Sequence, residues 1–381
     1  MKVAQKLYNK NAWSSLIGDT LSTTNKKLVL GFGSKALLQD ETIYKSLEND
    51  YAHADIVLCS TAGEIYNDAV FDNTVSVVIM EFDNTPFTTF SLNIKNQANS
   101  FEAGKTLFNK LNIGNLSYVL IISDGGLVNG SELVRGIEEI SKGNIPITGG
   151  LAGDDARFIA TYVGHNQQPA EGNIVAIGFY GNHLKIGHGS VGGWDIFGPE
   201  KKVTKSQANK LYEIDDSNAL DLYKKYLGKY ADELPGSALL FPLCVRQDGT
   251  EGYLVRTILS INNEEKVMVF AGDIPEGSYV RFMKANFDKI IDAANQAATN
   301  TFTQFNGVDS LKPKLALLIS CVGRKLILGS RIDEEIEAVK DIFGNSTLIS
   351  GFYSYGEISP LNPKSRCELN NQTMTITTFN E

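Results

Sequence analysis

The chain has 381 residues, in which 35 Lys and Arg stand against 44 Asp and Glu, so its formal net charge is −9. At roughly 150 residues per domain, this length predicts two or three domains with a substantial buried core. An acidic chain without a basic run lacks the positive surface that attracts nucleic-acid phosphates and anionic lipids. We therefore expect no nucleic-acid partner and no membrane partner, and instead a small molecule or another protein.

Targeting and membrane signals are missing from the sequence itself. The N-terminal segment MKVAQKLYNKNAWSSLIGDT contains no apolar run of the kind a signal peptide needs. No stretch of about 18 apolar residues occurs anywhere along the chain. We therefore predict a cytoplasmic protein.

Cysteine usage argues against disulfides and against a metal site. The four cysteines, Cys59, Cys244, Cys321 and Cys367, are far apart and form no CxxC pair. The segment LVLGFGSKA resembles a dinucleotide-binding turn, but no acidic residue closes the next strand to hold a ribose. We expect neither a metal nor a cofactor.

One unit occurs three times along the chain. Residues 27–82, 117–179 and 315–379 each contain a strand, a helix with apolar residues three or four apart, a second strand, a turn of small residues and a third strand. Such units predict an α/β (α+β) fold of two related domains, in which mixed sheets are covered by helices.

The second and third copies are separated by a different kind of segment. The sequence SNALDLYKKYLGK predicts a short helix with Ser217 or Asn218 as its N-cap and Gly228 as its C-terminal stop. Several strand-like segments follow a polar stretch. We place the domain boundary here and predict one domain at residues 1–228 and another at residues 229–381.

A turn that ends in glycine and an acidic residue follows the second strand of every copy. These pairs are Gly63 and Glu64, Gly153 and Asp154, and Gly356 and Glu357. Duplication of one tight turn would explain them, because such a turn needs glycine. Loops at the carboxyl ends of strands are also where open α/β sheets bind small molecules, so a ligand contact is an equal alternative.

Arg324 is the charged residue that best fits a ligand. A guanidinium binds a carboxylate through two hydrogen bonds, and Arg324 follows a predicted strand by only a few positions. Together with the acids of the three turns, it would suit a zwitterionic amino acid. The alternative is that Arg324 forms a structural ion pair with one of those acids.

Cys321 has two interpretations, because a nearby cation would lower the pKa of its thiol, whereas a free cysteine is usually a small buried side chain. Aromatic residues near the turns would provide the walls of a site. The predicted ligand-binding residues are Thr61, Gly63, Glu64, Gly153, Asp154, Trp194, Cys321, Gly323, Arg324, Tyr353, Tyr355, Gly356 and Glu357.

A family resemblance rests on motifs in chain order, namely STAGEI, GGLAGDD, GGWDIFGP, LYEIDDSNALDLYKKYLG, FAGDIPEG, CVGRKLILGSR and GFYSYGEI. They closely resemble the FIST family, whose name stands for F-box and intracellular signal transduction proteins. The resemblance spans about residues 27–379. Residues up to about 228 look like the N-terminal FIST domain and the remainder like the C-terminal one.

What the resemblance implies is a sensory module that binds small ligands, for which amino acids have been proposed. Such modules are often fused to kinase, chemotaxis or cyclic-dinucleotide output domains in bacteria and to an F-box in eukaryotes. FIST-like segments occupy both ends of this sequence. We therefore expect a free-standing bacterial sensor that signals through a separate protein, such as a kinase or a chemotaxis component.

Two other functions stay open at this point. One is an enzyme acting on a small metabolite, with Cys321, Glu64 or Glu357 as the reactive group. The other is a protein-interaction scaffold without a small ligand. The resemblance supplies no catalytic residue, so a non-enzymatic role is the expectation.

Overall fold

The computed structural model of the protein describes residues 1–234, 236–249, 252–302, 312–360 and 365–381. The helices are α1 (Lys35–Gln39), α2 (Glu41–Asp50), α3 (Ser100–Asn109), α4 (Gly130–Ser141), α5 (Ala219–Leu227), α6 (Phe287–Thr301), α7 (Val322–Leu328) and α8 (Ile332–Phe343). The predicted helix between the second and third copies is confirmed as α5. Its N-cap Asn218 accepts a hydrogen bond from a first-turn amide, and Gly228 ends it with a φ of 57°.

The first copy forms the centre of the first sheet. Its strands are β1 (Lys2–Asn9), β2 (Ala12–Trp13), β3 (Ile17–Gly18), β4 (Lys27–Gly33), β5 (Asp55–Ser60), β8 (Val75–Glu81) and β12 (Val163–His165). The order is β12-β5-β4-β8-β1-β2, and β3 also pairs with β1. Strands β4 and β5 are parallel, whereas β8 and β1 are antiparallel to their neighbours.

The second sheet has the same plan. It contains β9 (Phe87–Asn93), β10 (Leu116–Ser123), β11 (Ile147–Leu151), β13 (Asn173–Tyr180), β25 (Gly356–Pro360) and β26 (Cys367–Asn370). The order is β26-β25-β11-β10-β13-β9, with β10 and β11 parallel. The second copy thus supplies the three adjacent strands β11, β10 and β13, and β9, which precedes it in the chain, pairs with β13.

The third sheet repeats the plan once more. It contains β6 (Glu64–Tyr66), β7 (Ala69–Phe71), β14 (Lys185–Val191), β23 (Leu315–Cys321), β24 (Leu348–Ser354) and β27 (Met374–Asn380). The order is β14-β27-β23-β24-β6-β7, with β23 and β24 parallel. The three predicted copies therefore correspond to three sheets of one design.

The copies exchange strands in a ring. Strands β6 and β7 of the first copy extend the third sheet, β12 of the second copy extends the first sheet, and β25 and β26 of the third copy extend the second sheet. Strands from before and after residue 228 consequently share the second and third sheets. The predicted boundary separates two segments of chain whose sheets are interlocked.

The three sheets face one shared apolar core, and helices cover their outer faces. In the core, the rings of Phe32 and Phe352 stack 4.9 Å apart, and the rings of Phe179 and Phe379 are 6.0 Å apart. Helices α1 and α2 pack on the first sheet, α3 and α4 on the second, and α6 and α8 on the third. Burial on both faces explains why the central strands are continuous apolar runs.

A fourth, antiparallel sheet lies in the chain between β14 and α6. This inserted sheet contains β15 (Asp195–Gln207), β16 (Lys210–Ile214), β17 (Ser217–Asn218), β18 (Leu243–Arg246), β19 (Leu254–Arg256), β20 (Ile258–Asn262), β21 (Val267–Phe270) and β22 (Tyr279–Lys284). The order is β19-β18-β22-β15-β16-β21-β20, and β17 pairs with β16. It builds a separate core with α5.

Candidate functional site

The three glycine-acid turns meet at one place, which we call the turn junction (residues 60–64, 151–154 and 353–357). Three backbone hydrogen bonds join the turns in a ring, from Gly153 N to Ser60 O (2.8 Å), from Ala62 N to Tyr353 O (2.8 Å) and from Tyr355 N to Leu151 O (3.2 Å). A Cβ at Gly153 would lie only 2.8 Å from Ala62 N, so the approach of the first two turns requires glycine there.

Two acidic residues of the junction, Glu64 and Glu357, tie their turns to the last strands of the first and third copies. Glu64 is buried and accepts hydrogen bonds from Thr61 Oγ1 (2.5 Å), Thr74 N (3.1 Å) and Thr74 Oγ1 (2.8 Å). The corresponding donors to Glu357 are Ser354 Oγ (2.7 Å), Thr373 N (3.2 Å) and Thr373 Oγ1 (2.9 Å). Burial raises the pKa of Glu64 to about 7 and that of Glu357 to about 8, against the opposing effect of these bonds.

The second copy divides this role between two acids. Asp154 is buried and pairs with Lys35 Nζ (2.6 Å) and Arg157 Nε (2.9 Å). Asp124 instead makes the bond to the start of the last strand, because its Oδ2 accepts from Gly172 N at 3.0 Å. The junction acids therefore have partners within the protein.

Arg324 lies inside a helix and not in a loop, because α7 begins at Val322 directly after β23. Its side chain is fully buried. The guanidinium donates from Nε to Glu335 Oε2 (2.9 Å) and reaches the carbonyl oxygens of Gly192 (2.5 Å) and Ile290 (2.7 Å). The acid that pairs with Arg324 comes from α8 and is none of the three turn acids.

The remaining predicted residues are also enclosed. Cys321 is buried, and burial raises the pKa of its thiol well above the ordinary value. Trp194 donates from Nε1 to the carbonyl of Gln372 (2.9 Å), and a Cβ at Gly323 would lie 2.5 Å from Nε2 of the same Gln372. Tyr353 is fully buried. The structure thus brings the predicted residues into one region but encloses most of them.

Tyr355 differs from its neighbours because its ring lines a cavity. Its hydroxyl accepts a hydrogen bond from Phe158 N (3.0 Å) and donates to Asp155 O (3.2 Å). The rings of Tyr355 and Phe158 stack with their centroids 4.5 Å apart. The two rings form one wall of the cavity.

This cavity, which we call the strand-end cleft, has a volume of about 420 Å³. It lies beyond the carboxyl ends of β10 and β11, between the loop 125–130 that leads into α4 and residues 270–272 at the end of β21 in the inserted sheet. Leu127 and Leu259 add to the apolar part of its lining, and none of the described residues that line it has a charged side chain. Ligands bind open α/β sheets at this end of the strands.

The wall of the cleft is strained and exposed. Phe158 adopts a φ of 52°, a left-handed conformation that costs a bulky residue on the order of 1–3 kcal/mol. Leu127, Phe158 and Leu259 are 49%, 46% and 43% exposed. Strain and clustered apolar exposure are both typical of binding surfaces.

Sequence reasoning missed this cleft. The signal it could have used is the pair Gly125 and Gly126, which follows the strand YVLIIS and precedes an N-capped helix. Such a loop brings backbone close to a ligand. Nothing in the local pattern indicates that Phe158 and Leu259 would stand opposite it.

Within the described ranges, no group of three or more His, Cys, Asp or Glu side chains is arranged to hold a metal ion. None of the helices in those ranges combines the length and the apolar character that crossing a membrane requires. These findings concern the described residues alone.

Three interlocked strand-helix-strand units, an inserted antiparallel sheet and a cleft at the strand ends define a mixed α/β protein of repeated design. The model of the FIST N domain matches residues 27–217, and that of the FIST C domain matches residues 219–360. The chain therefore belongs to the FIST family, as its motifs predicted. FIST domains are associated with sensing in signal transduction.

A curated relative is an uncharacterized protein of Methanocaldococcus jannaschii. It is 27% identical over 237 residues, which cover 56% of this chain and 41% of the relative. The chain thus spans less than half the length of that relative.

Proposed function

We propose that this protein is a sensor that binds a small ligand in the strand-end cleft. The observation that carries the proposal is the cleft itself. Its volume of about 420 Å³ falls within the range of small-molecule pockets, roughly 300–1,000 Å³, and it lies between two structural units, where such pockets are common. The FIST family's association with sensing supports the same function.

The lining of the cleft suits an amino acid with an apolar side chain. The stacked rings of Phe158 and Tyr355 provide a surface for the apolar part. The first amide of α4, at Gly130 in the cleft lining, has no carbonyl partner within the helix, and a helix N-terminus attracts a carboxylate. The ligand's ammonium group would remain near the open mouth of the cleft.

A ligand in the cleft would contact both the three-copy core and the inserted sheet. Phe158 and Tyr355 come from the core, whereas Leu259 and residues 270–272 belong to the inserted sheet and its following turn. A ligand that contacts both units more favourably in one arrangement would shift the population toward it. We propose that this arrangement is read by a separate cytoplasmic protein, such as a kinase or a chemotaxis component.

Thermal unfolding of the full chain with a panel of amino acids tests the proposal. A ligand present at 100 times its Kd should add about 2.7 kcal/mol of stability. Leu127→Asp should abolish the shift in melting temperature, because it places a charge in the apolar wall. The matched control is Ile113→Asp, since Ile113 is 52% exposed and does not line the cleft.

Two results would contradict the proposal. One is a panel in which no apolar amino acid changes the melting temperature. The other is a shift that Leu127→Asp and Ile113→Asp leave equally intact. A protein captured by the wild type without any ligand would favour the scaffold function.

The enzyme alternative has less support from the geometry. Cys321, Glu64 and Glu357 are all buried, and the first has a thiol whose pKa is raised by burial. An unreactive thiol is the expected behaviour of such a cysteine. Slow alkylation of Cys321 in the folded chain at pH 7 would agree with a structural role.

A further inference from the structure

A second cavity lies between α4, the inserted sheet and β26, and we call it the arginine cavity. Its volume is about 290 Å³. Among the described residues, five charged ones line it, namely Arg135, Arg256, Arg366, Asp273 and Glu368. It contains none of the predicted ligand-binding residues.

Arg256 is the unusual member of this group. At the end of β19 it is only 3% exposed. Its hydrogen bonds within the described part of the chain all go to backbone carbonyls, from Nε to Asp273 O (3.0 Å) and from Nη1 to Val255 O (3.3 Å) and Leu369 O (2.9 Å). Among the described residues, no carboxylate oxygen lies within 4 Å of its guanidinium, whereas the buried Arg324 has such a partner.

A buried charge without a counter-charge is costly, and most proteins pair it. Burial lowers the pKa of Arg256 to about 10, and the more distant carboxylates of Glu368 and Asp273 offset this only in part. Arg256 therefore remains charged at neutral pH. Its guanidinium lines a cavity in which an anion would supply the missing charge.

The other charges of the cavity strengthen its positive character. Asp273 is already engaged, because Arg135 Nη2 lies 3.1 Å from its Oδ2 and Asn129 Nδ2 lies 3.2 Å from its Oδ1. The charge of Glu368 interacts with those of Arg256 and the exposed Arg366 without a direct ion pair among the described residues. On the part of the lining that the structure describes, three arginines against two acids leave one net positive charge.

We propose that the arginine cavity binds a small oxyanion, a carboxylate or a phosphate. The buried Arg256 would provide the central charge, and Arg135 and Arg366 would add charge at the exposed side. A planar guanidinium fits both kinds of oxyanion through two parallel hydrogen bonds. This site is distinct from the strand-end cleft, and its existence does not depend on the proposed function of that cleft.

Isothermal titration of the full chain at pH 7 tests the site, with inorganic phosphate and succinate as separate probes at constant ionic strength. We expect saturable binding of at least one probe, and the stronger one identifies the kind of oxyanion. Arg366→Gln and Arg135→Gln change exposed side chains and should each weaken binding severalfold. Arg256→Lys keeps a charge but removes the planar fork, so about tenfold weakening is expected.

Two control variants make the test specific. Arg331→Gln removes an exposed arginine that pairs with Asp288 and Glu334 outside the cavity, so it should leave the affinity unchanged. Leu127→Asp alters the strand-end cleft and should also leave oxyanion binding intact. A loss of amino-acid binding in the strand-end cleft can thus be distinguished from a loss of oxyanion binding in the arginine cavity.

The proposal is overturned if neither phosphate nor succinate gives saturable binding. It is equally overturned if Arg256→Lys and Arg366→Gln bind as tightly as the wild type. Equal weakening by Arg331→Gln would show that general surface charge attracts the anion, which also contradicts the site.

Discussion

Glu64 and Glu357 show how single side chains hold the repeated turns in place. Each carboxyl group spans from its own turn to the first residue before the last strand of its copy. Both accept three hydrogen bonds, yet both have a raised pKa, because burial outweighs those bonds. The turns thus depend on groups that change charge near neutral pH.

These pKa values predict a stability that depends on pH. The folded values, about 7 for Glu64 and about 8 for Glu357, lie above the ordinary 4.5, so the folded state binds these protons more tightly than the unfolded state. The stabilisation of the folded state that the protonated carboxyl groups provide is complete below about pH 4.5. It is lost as the pH rises toward 7 for Glu64 and toward 8 for Glu357. The loss should be on the order of a few kcal/mol for each residue.

Urea unfolding at pH 5, 6, 7 and 8 measures this effect. The double variant Glu64→Gln and Glu357→Gln should flatten the decline, since the amides cannot ionise. Curves of unfolding free energy against pH that run parallel for wild type and variant would contradict the assignment of the pH dependence to these two residues.

A buried ion pair between Arg324 and Glu335 joins helices α7 and α8. The guanidinium of Arg324 and the carboxylate of Glu335 lie 2.7 Å apart with both side chains fully buried. A further bond to Ile290 O extends the contact to α6. The pair therefore sets how three helices pack on the third sheet.

Breaking this pair should be strongly destabilising. Arg324→Gln leaves Glu335 buried without its counter-charge, so the unfolding free energy should fall by about 3–5 kcal/mol. Arg331→Gln, which breaks an exposed pair, should cost about 0–1 kcal/mol. Denaturant titrations of both variants measure these changes. Unchanged stability together with a lost ligand response would instead support the predicted binding role of Arg324.

At the scale of the whole molecule, the ring of exchanged strands makes the two halves of the chain interdependent. Strand β11 pairs with β25, and β24 pairs with β6, across residue 228. Separation would expose unpaired strand edges and open the shared apolar core.

Expression of residues 1–228 and of residues 229–381 as separate fragments tests this interdependence. Neither fragment should unfold cooperatively alone, because each would lack strands that complete its sheets. Mixing or co-expression should restore cooperative unfolding. A fragment of residues 1–228 that melts cooperatively with near-native stability would show instead that the first half is an independent domain.

Local chemistry allowed several features to be predicted from the sequence. The helix α5 was predicted with its caps because Asn218 and Gly228 act on neighbouring amides and carbonyls. The three copies were recognised from their apolar periodicities and their turns. The family followed from motifs spread along the chain, and it was confirmed.

The sequence by itself determined the repeated units, their turns and the family, since each depends on residues close together in the chain. Only the tertiary structure decided which strands exchange, that Arg324 pairs with Glu335, and that Phe158, Tyr355 and Leu259 surround one cleft. It also decided that Arg256 is buried beside a cavity. Such contacts join residues far apart in the chain, and packing of the complete fold creates them, so no local pattern encodes them.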